Sequence, residues 1–333
     1  MERKSIGDVV VLWLWFLSLA TITIQFSLSD GTSDVICSAR ERRALQRIKQ
    51  GLVDQGNYLS SWTREACCSW KGIGCDNITR HVVKINLSCE PMEGASLGGD
   101  ISTSLLDLNH LQYLDLSWNS FEGLQIPEFL GSLTGLRYLN LSNAGLTGDV
   151  PRQLGKQSSL QYLDIGGISL DTRTLTGSLL FPSLNCEFSS LTVLDLSENQ
   201  FVSPTFDWFS SLGSLASLDL SSNNFHGPIP TTLCNLTALR SLHLFNNSFT
   251  STIPDRLSHL TSLENLSNNA LEGEIPRSLG EHCNLQRLDL SSNKLVKFIF
   301  WTNICICKRL VILELLRYVR EFSEGYSVWK ALR

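Results

Sequence analysis

The chain has 333 residues, of which 43% are hydrophobic and 18% are charged, and its net charge at pH 7 is -5. This apolar content can form a substantial buried core, which excludes general disorder. The acidic balance argues against nucleic-acid binding, which usually requires a basic surface. Ten cysteines are more than an ordinary cytosolic protein carries, and they favour an oxidising compartment.

The N-terminus has the order of regions that is typical of a secretory signal. A short basic region precedes an uncharged apolar run over residues 9–26, and Ser27 and Ser29 then supply small residues at a plausible cleavage site. We therefore predict a signal peptide over residues 1–29. An uncleaved membrane anchor is the alternative, because the segment is long enough to cross a bilayer. The rest of the chain is expected to be secreted. It would lie on the outer face of the plasma membrane if the N-terminal apolar segment is uncleaved or if a longer form is anchored.

Residues 30–80 are assigned to an N-terminal cap that contains four clustered cysteines, Cys37, Cys67, Cys68 and Cys75. A stacked array needs such a cap, because its first repeat would otherwise expose its core to water. The sequence leaves the pairing of the other six cysteines open: Cys89, Cys186, Cys234, Cys283, Cys305 and Cys307.

Six N-x-[ST] sequons accompany the predicted secretion signal. A single sequon means little, but six on a secreted chain predict N-glycosylation of several of them. The acceptor residues are Asn77, Asn86, Asn140, Asn235, Asn246 and Asn265.

Residues 81–295 contain an internal repeat with a spacing of about 24 residues, and each unit begins with the pattern L-x-x-L-x-L. One repeat cannot bury its own leucines, so the units must stack into a solenoid whose short parallel strands line a concave face. An earlier unit carries Val82, Ile85 and Leu87 in the leucine positions. The first leucines of the following units are Leu111, Leu136, Leu160, Leu191, Leu215, Leu239, Leu263 and Leu285.

The unit that begins at Leu215 shows what each position does. Leu218 and Leu220 are predicted to point inward from a short strand, while Asp219 points outward. Asn223 follows the strand, where its amide can satisfy buried backbone groups. The same position is occupied elsewhere by Asn119, Asn199, Asn247 and Asn293, and a proline that follows recurs at Pro127, Pro151, Pro230, Pro254 and Pro276.

Three places depart from this pattern. The interval between Leu160 and Leu191 holds seven extra residues, which predicts a bulging loop or a lost repeat boundary. The unit at Leu263 is two residues short, so its strand must shift before Asn269 can reach the asparagine position. Residues 296–333 form an atypical tail, in which leucines from Leu310 onward suit either a further strand or a helix face.

The unit L-x-x-L-x-L-x-x-N-x-[LF]-x-G-x-I-P-x-x-L resembles the plant-specific extracellular leucine-rich repeats, and the cap resembles that of plant receptor-like proteins and receptor-like kinases. The resemblance implies an α/β leucine-rich-repeat solenoid. It also implies the bridges Cys37–Cys67 and Cys68–Cys75, and a cap packed with Trp62 and Trp70. The closest similarity is to receptor-like proteins implicated in pathogen resistance.

That resemblance implies an extracellular recognition protein that acts in defence or developmental signalling. Its expected partner is a protein, peptide or glycan ligand, with a co-receptor kinase at the cell surface. The tail carries neither a membrane-spanning run nor kinase motifs, so a truncated receptor and a natural soluble form are both open. The alternative function is a soluble cell-wall inhibitor of the polygalacturonase-inhibitor type.

The strand face supplies the candidate ligand-binding residues. A row of aspartates occupies one strand position, and we interpret it as a solvated face. Aromatic and basic residues that interrupt the face suit recognition, although the aromatic side chains could equally pack against neighbouring repeats. These candidates are Tyr113, Trp118, Tyr138, Tyr162, Arg240, His243 and Phe245.

Neither catalysis nor cofactor binding is predicted. The segment Gly94-Ala-Ser96-Leu-Gly98 matches the G-x-S-x-G pattern, but it lacks the strand before it and the helix after it that a nucleophile elbow needs. His282, Cys283, Cys305 and Cys307 have the wrong separation for a compact zinc site.

Overall fold

The computed structural model describes residues 37–89, 96–167, 175–178, 188–202, 207–259, 263–276, 278–279, 288–297 and 313–314. The predicted signal peptide, most of the predicted tail, and Cys186, Cys283, Cys305 and Cys307 lie outside these residues.

The cap begins with helix α1, Ala39–Gly51. Ser38 caps its N-terminus, where the hydroxyl oxygen accepts a hydrogen bond from the Glu41 backbone N–H at 3.2 Å. The Glu41 carboxylate is 3% exposed and accepts the Val82 backbone N–H at 3.1 Å, which ties the helix to the first repeat strand. Asp107 of the next repeat pairs with Arg40 and Arg47 of the helix. The cap is therefore fixed to the array by buried and exposed polar contacts.

Two disulfides and a tryptophan pair hold the remainder of the cap. Cys37 is bonded to Cys67 with the Cα atoms 5.8 Å apart, and Cys68 is bonded to Cys75 with the Cα atoms 5.6 Å apart. The rings of Trp62 and Trp70 stack with their centroids 5.3 Å apart. These are the pairings and the packing that the resemblance implies.

Within the described residues, eleven strands form one sheet: β2 Ile73–Cys75, β3 Val82–Asn86, β5 Tyr113–Asp115, β6 Tyr138–Asn140, β7 Tyr162–Asp164, β9 Val193–Asp195, β11 Ser217–Asp219, β13 Ser241–His243, β15 Leu263–Asn265, β17 Leu288–Asp289 and β19 Leu313–Glu314. Their order in the sheet is β19-β17-β15-β13-β11-β9-β7-β6-β5-β3-β2. Only β2 and β3 pair antiparallel, and every other neighbouring pair is parallel.

Eight further strands pair in four two-stranded sheets, of which the first is antiparallel and the other three are parallel. They are β1 Leu52–Val53 with β4 Gly98–Gly99, β8 Thr176–Ser178 with β10 Gln200–Val202, β12 His226–Pro228 with β14 Ser248–Thr250, and β16 Glu272–Glu274 with β18 Lys294–Lys297. The return segments contain single 3₁₀ turns, at Thr103–Asp107, Glu128–Ser132, Arg152–Lys156, Asp207–Ser211, Thr231–Asn235 and Asp255–His259.

The core runs through the repeats as rows of equivalent side chains. The central strand leucines Leu194, Leu218 and Leu242 are in register, and each is at most 1% exposed. Phe225 and Phe249 form a second row, with ring centroids 6.2 Å apart. Each buried leucine or phenylalanine contributes about 1.5–3 kcal/mol, and only the adjacent repeat can bury it. Stacking of repeats thus creates the core, as the sequence predicts.

The irregular places have structural counterparts. The interval between Leu160 and Leu191 holds the extra residues, yet Tyr162 of β7 pairs directly with Val193 of β9. The main sheet is therefore continuous across this interval. The short unit produces the predicted irregularity, because the register shifts between β13 and β15. In the tail, Leu313 pairs with Leu288, which supports a further repeat strand at this position.

Candidate functional site

In strands β6, β7, β9, β11 and β13 the central residue is buried, whereas the first and third residues are half-buried. Three successive first positions hold tyrosines. The Tyr113 and Tyr138 rings stack with centroids 4.1 Å apart, and the Tyr138 and Tyr162 rings stack at 4.3 Å. The Lys84 ammonium lies 4.5 Å from the Tyr113 ring centroid and closes one end of the row. The tyrosines therefore pack against one another along the strand ladder, which was one of the two interpretations of their sequence pattern. They remain half-buried on the side of the sheet that faces away from the core.

A polar row lies beside the tyrosines, at the last position of each strand. Its register runs Asn86, Asp115, Asn140, Asp164, Asp195, Asp219, His243. The Tyr113 hydroxyl donates to Asp115 at 3.2 Å, and the Tyr162 hydroxyl donates to Asp164 at 3.3 Å. The aromatic and acidic rows thus form one hydrogen-bonded surface. We call this surface, residues 113, 115, 138, 140, 162, 164, 195, 219 and 243, the strand face.

A serine two residues after the acidic or amide side chain stabilises most positions of the row. Ser197 donates both its backbone N–H, at 2.9 Å, and its hydroxyl, at 2.6 Å, to Asp195. Asp164 lacks this hydroxyl, because Gly166 stands at the serine position and donates only its N–H, at 3.0 Å. Burial, reinforced by the Asp195 carboxylate, raises the pKa of Asp164 to about 7. Three carboxylates, at residues 164, 195 and 219, are adjacent in the register here, and burial also raises the pKa of Asp195.

Three of the predicted ligand-face residues lie outside the strands. Arg240 is exposed immediately before β13, and Phe245 is half-buried two residues after it. Trp118 lies in the turn after β5 with φ +58°, and it remains 37% exposed. His243 lies within β13, where its Nε2 is 3.1 Å from the Ser241 hydroxyl. Of the seven predicted ligand-face residues, the three tyrosines and His243 therefore lie on main strands, and the other three lie beside them.

The six sequons fall into two structural groups. The side chains of Asn77, Asn235 and Asn246 are exposed outside the main sheet. The others lie at the last position of main strands, at Asn86, Asn140 and Asn265. Because Asn140 is in register between Asp115 and Asp164, a glycan there would stand on the strand face itself.

Behind the strand face, asparagine side chains connect successive repeats. The Asn223 amide nitrogen donates to the carbonyl of Leu196 at 2.9 Å and to those of Leu220 and Ser221, while its oxygen accepts the Phe201 N–H at 3.0 Å. Equivalent contacts are made by Asn119, Asn199, Asn247, Asn269 and Asn293.

The asparagine row is interrupted at Ala144, which occupies the corresponding position in the repeat that begins at Leu136. A pocket of about 290 Å³ lies at this interruption. Its lining includes Trp118, Glu122 and Asn143. This pocket was not predicted from the sequence, although an alanine stands there at the position where most repeats have asparagine.

Among the residues that the structure describes, neither a metal site nor a membrane-spanning helix is present. No group of histidine, cysteine, aspartate or glutamate residues is arranged to hold a metal ion. Among the same residues, no helix has both the length and the apolar character needed to cross a bilayer.

Comparison with known proteins matches two family models to this chain. Residues 95–314 match the leucine-rich repeat region, and residues 38–76 match the leucine-rich repeat N-terminal domain. The chain is similar to receptor-like protein EIX1 of Solanum lycopersicum, with 39% identity over 215 residues, which are 60% of this chain and 20% of that protein. It is also similar to receptor-like protein EIX2 of the same species, with 40% identity over 46% of this chain and 15% of that protein.

Solved structures of plant receptor ectodomains have the same fold. The Arabidopsis thaliana receptor kinase GASSHO1/SCHENGEN3, in complex with CASPARIAN STRIP INTEGRITY FACTOR 2, aligns with a TM-score of 0.66 and 34% identity over 76% of this chain and 30% of that one. The Arabidopsis receptor kinase HAESA, in complex with the peptide hormone IDA and the co-receptor SERK1, aligns with a TM-score of 0.62 and 28% identity over 78% of this chain and 46% of that one.

Proposed function

Because this chain belongs to the leucine-rich-repeat family, we propose that it is the ligand-recognising ectodomain of a plant receptor-like protein that acts in defence or developmental signalling. Both tomato relatives are receptor-like proteins. The chain spans 20% and 15% of the length of these two relatives, so the activity of a whole receptor is itself part of the proposal.

The strand face is the observation that carries the proposal. It combines three stacked tyrosines with three adjacent carboxylates on a backbone fixed by parallel pairing. Rigid aromatic side chains contribute contact area at a small entropic cost, and they are enriched among residues that dominate binding energy. Nothing in the fold requires tyrosine at these positions, since Val193, Ser217 and Ser241 occupy the same register position in later repeats.

We propose a peptide as the ligand rather than a glycan. An extended peptide lying across the strands can place successive side chains against the tyrosine row and against the carboxylate row. The GASSHO1/SCHENGEN3 and HAESA ectodomains, which share this fold, are each described in complex with a peptide hormone or a named factor. A co-receptor kinase is the proposed second partner, as the HAESA complex contains SERK1.

We propose that the protein recognises its ligand and has no catalytic activity. Its disulfides and sequons suit an extracellular location, on the cell surface or free in the wall space. A cell-wall inhibitor of the polygalacturonase-inhibitor type is the alternative, and the similarity to EIX1 and EIX2 favours the receptor.

The proposal is tested by selection from a displayed random-peptide library with the secreted protein as bait. Affinities of the selected peptides are then measured for Tyr138→Ala on the strand face and for Lys156→Ala on the 3₁₀ side, with the melting temperature of each variant as a folding check. If Tyr138 is a hot spot, its loss weakens binding by about 2 kcal/mol, or roughly 30-fold, while Lys156→Ala has little effect. Peptides whose binding depends on Lys156 and not on Tyr138 would refute the strand-face assignment.

A further inference from the structure

One glycosylation sequon lies within the strand face. Asn140 is the last residue of β6, and it is in register with Asp115 on one side and Asp164 on the other. The sequons at Asn86 and Asn265 lie on β3 and β15, the strands that adjoin the two ends of this surface. A group attached to Asn140 therefore stands among the residues assigned to ligand recognition, whereas groups at the other two positions stand at its borders.

The hydrogen bonds of Asn140 use one atom of its amide and leave the other for modification. Its Oδ1 accepts the Ser142 backbone N–H at 2.9 Å and the Ser142 hydroxyl at 2.7 Å, and these two bonds orient the amide. Its Nδ2, the atom to which an N-glycan is attached, lies 3.5 Å from the Tyr138 hydroxyl, at the long limit of a hydrogen bond. A sugar in place of one Nδ2 hydrogen leaves both Ser142 bonds intact. The contacts that fix this repeat are therefore compatible with a glycan on Asn140.

The orientation of the amide directs a glycan toward the tyrosines. Residues two apart in a strand lie on the same face of the sheet, so Tyr138 and Asn140 are neighbours on the side that faces away from the core. Tyr138 is the central ring of the stack, with the Tyr113 centroid 4.1 Å away and the Tyr162 centroid 4.3 Å away. Adjacent strands are only about 4.8 Å apart, and an N-glycan is a bulky group. A glycan on Asn140 therefore covers all three rings.

On the premise of the proposed recognition function, we propose that Asn140 is an N-glycan acceptor and that its glycan closes the strand face to a peptide ligand. The chain without this glycan exposes the tyrosine stack and binds, whereas the chain that carries it excludes the peptide by volume. The occupancy of Asn140 at secretion thus determines the fraction of molecules that can bind. Asn77, Asn235 and Asn246 are exposed outside the main sheet, and glycans there leave the strand face open.

The covalent step is the transfer of an oligosaccharide from a lipid diphosphate donor in the secretory pathway. The bond between the anomeric carbon of the sugar and the diphosphate oxygen breaks, and the anomeric carbon bonds to Nδ2 of Asn140. Nδ2 loses one proton, and the lipid diphosphate leaves. The step recognises the sequon Asn140-Leu141-Ser142.

The first measurement is the occupancy of Asn140 in the secreted full chain. Proteolytic peptides that contain Asn140 are analysed by mass spectrometry before and after treatment with a peptide-N-glycosidase in heavy-oxygen water, which converts each glycosylated asparagine into a labelled aspartate. The expected result is a glycan on Asn140 in part of the secreted, folded protein. Secreted protein in which Asn140 carries no glycan would overturn the proposal.

The second measurement is the binding stoichiometry of a peptide probe. The probe is selected from the displayed library on Asn140→Asp protein, which lacks the acceptor and keeps an Oδ1 for Ser142, as Asp195 does for Ser197 at 2.9 and 2.6 Å. By calorimetric titration, the wild type is expected to bind only in proportion to its fraction without a glycan on Asn140. Asn140→Asp and the uncharged variant Asn140→Gln are expected to bind in full stoichiometry, with melting temperature as the folding check.

A matched control removes a different glycan. Asn235→Asp makes the same chemical change at an exposed sequon at the end of the 3₁₀ segment Thr231–Asn235, and its stoichiometry is expected to equal that of the wild type. An increase for Asn235→Asp as large as that for Asn140→Asp would contradict a role for this particular glycan. A gain in Asn140→Asp that is absent from folded Asn140→Gln would assign the effect to the added charge and would also overturn the proposal.

These outcomes separate the glycan from the proposed function. If no peptide selected on Asn140→Asp loses affinity when Tyr138→Ala is added, then recognition at the strand face is wrong. If such peptides bind the wild type in full stoichiometry although Asn140 is glycosylated, then recognition stands and the glycan inference is wrong.

Discussion

Replacing one asparagine of the buried row tests how the repeats are held together. Asn223→Ala removes an amide that makes four hydrogen bonds, including those to the Leu196 carbonyl at 2.9 Å and from the Phe201 N–H at 3.0 Å. Asn223 is 6% exposed, so water cannot replace these partners without opening the repeat. Leaving two buried backbone groups unpaired, with a small packing loss, costs about 3–5 kcal/mol. We expect the melting temperature to fall by roughly 6–15 °C.

The neighbouring residue provides a matched control for this prediction. Asn224→Ala makes the same chemical change one position later, where the side chain is exposed, and is expected to alter stability by less than about 0.5 kcal/mol. Both variants are compared with the wild type by calorimetry and by denaturant titration followed by circular dichroism. Equal losses for Asn223→Ala and Asn224→Ala would refute the role assigned to the buried amide.

Further predictions concern pH, the cap and processing. Because burial raises the pKa of Asp164 to about 7, its stabilising contribution is complete below about pH 4 and is lost as the pH rises toward 7. Asp164→Asn should therefore match the wild type in melting temperature near pH 4 and exceed it by a few degrees at neutral pH, and identical pH profiles would contradict this. Cys37→Ser should reduce secretion more than Cys305→Ser, because the Cys37–Cys67 disulfide stabilises the folded cap by about 2–4 kcal/mol. Equal secretion of the two variants would count against the assignment of the cap. Glycosidase treatment should increase the mobility of the secreted chain, whose N-terminus should lie near Ser29; an unshifted chain that begins at Met1 would exclude both processing steps.

The spacing of the repeats in the sequence was sufficient to predict most of the fold. The spacing of leucines places Leu194, Leu218 and Leu242 in one buried row, because a repeat that cannot bury its own core must stack. The two-residue deletion at Leu263 predicts a register irregularity, and the structure has one there. These features follow from sequence because they depend on contacts between identical positions of adjacent repeats.

The details of the strand face depend on the three-dimensional arrangement of individual repeats. Whether the tyrosines stack could not be decided from sequence, since both interpretations use the same spacing. Trp118 was predicted as a ligand-face residue for its aromatic side chain, and the structure places it in the turn after β5, where its φ is positive. The raised pKa of Asp164 arises first from burial, which no local sequence pattern reports, and then from the Asp195 carboxylate, which is 31 residues away in sequence. The alanine at position 144, by contrast, was visible in the repeat alignment.

The central claim is that the strand face binds the ligand, and hydroxyl-radical footprinting tests it most directly. The secreted protein is oxidised with and without a library-selected peptide, and side-chain modification is quantified by mass spectrometry. We predict that the peptide protects Tyr113, Tyr138, Tyr162 and His243 on the strand face. Phe129 in the 3₁₀ segment Glu128–Ser132 is half-buried as well and serves as the internal control, with no change in its modification. Protection of Phe129 with unchanged oxidation of the three tyrosines would contradict the account.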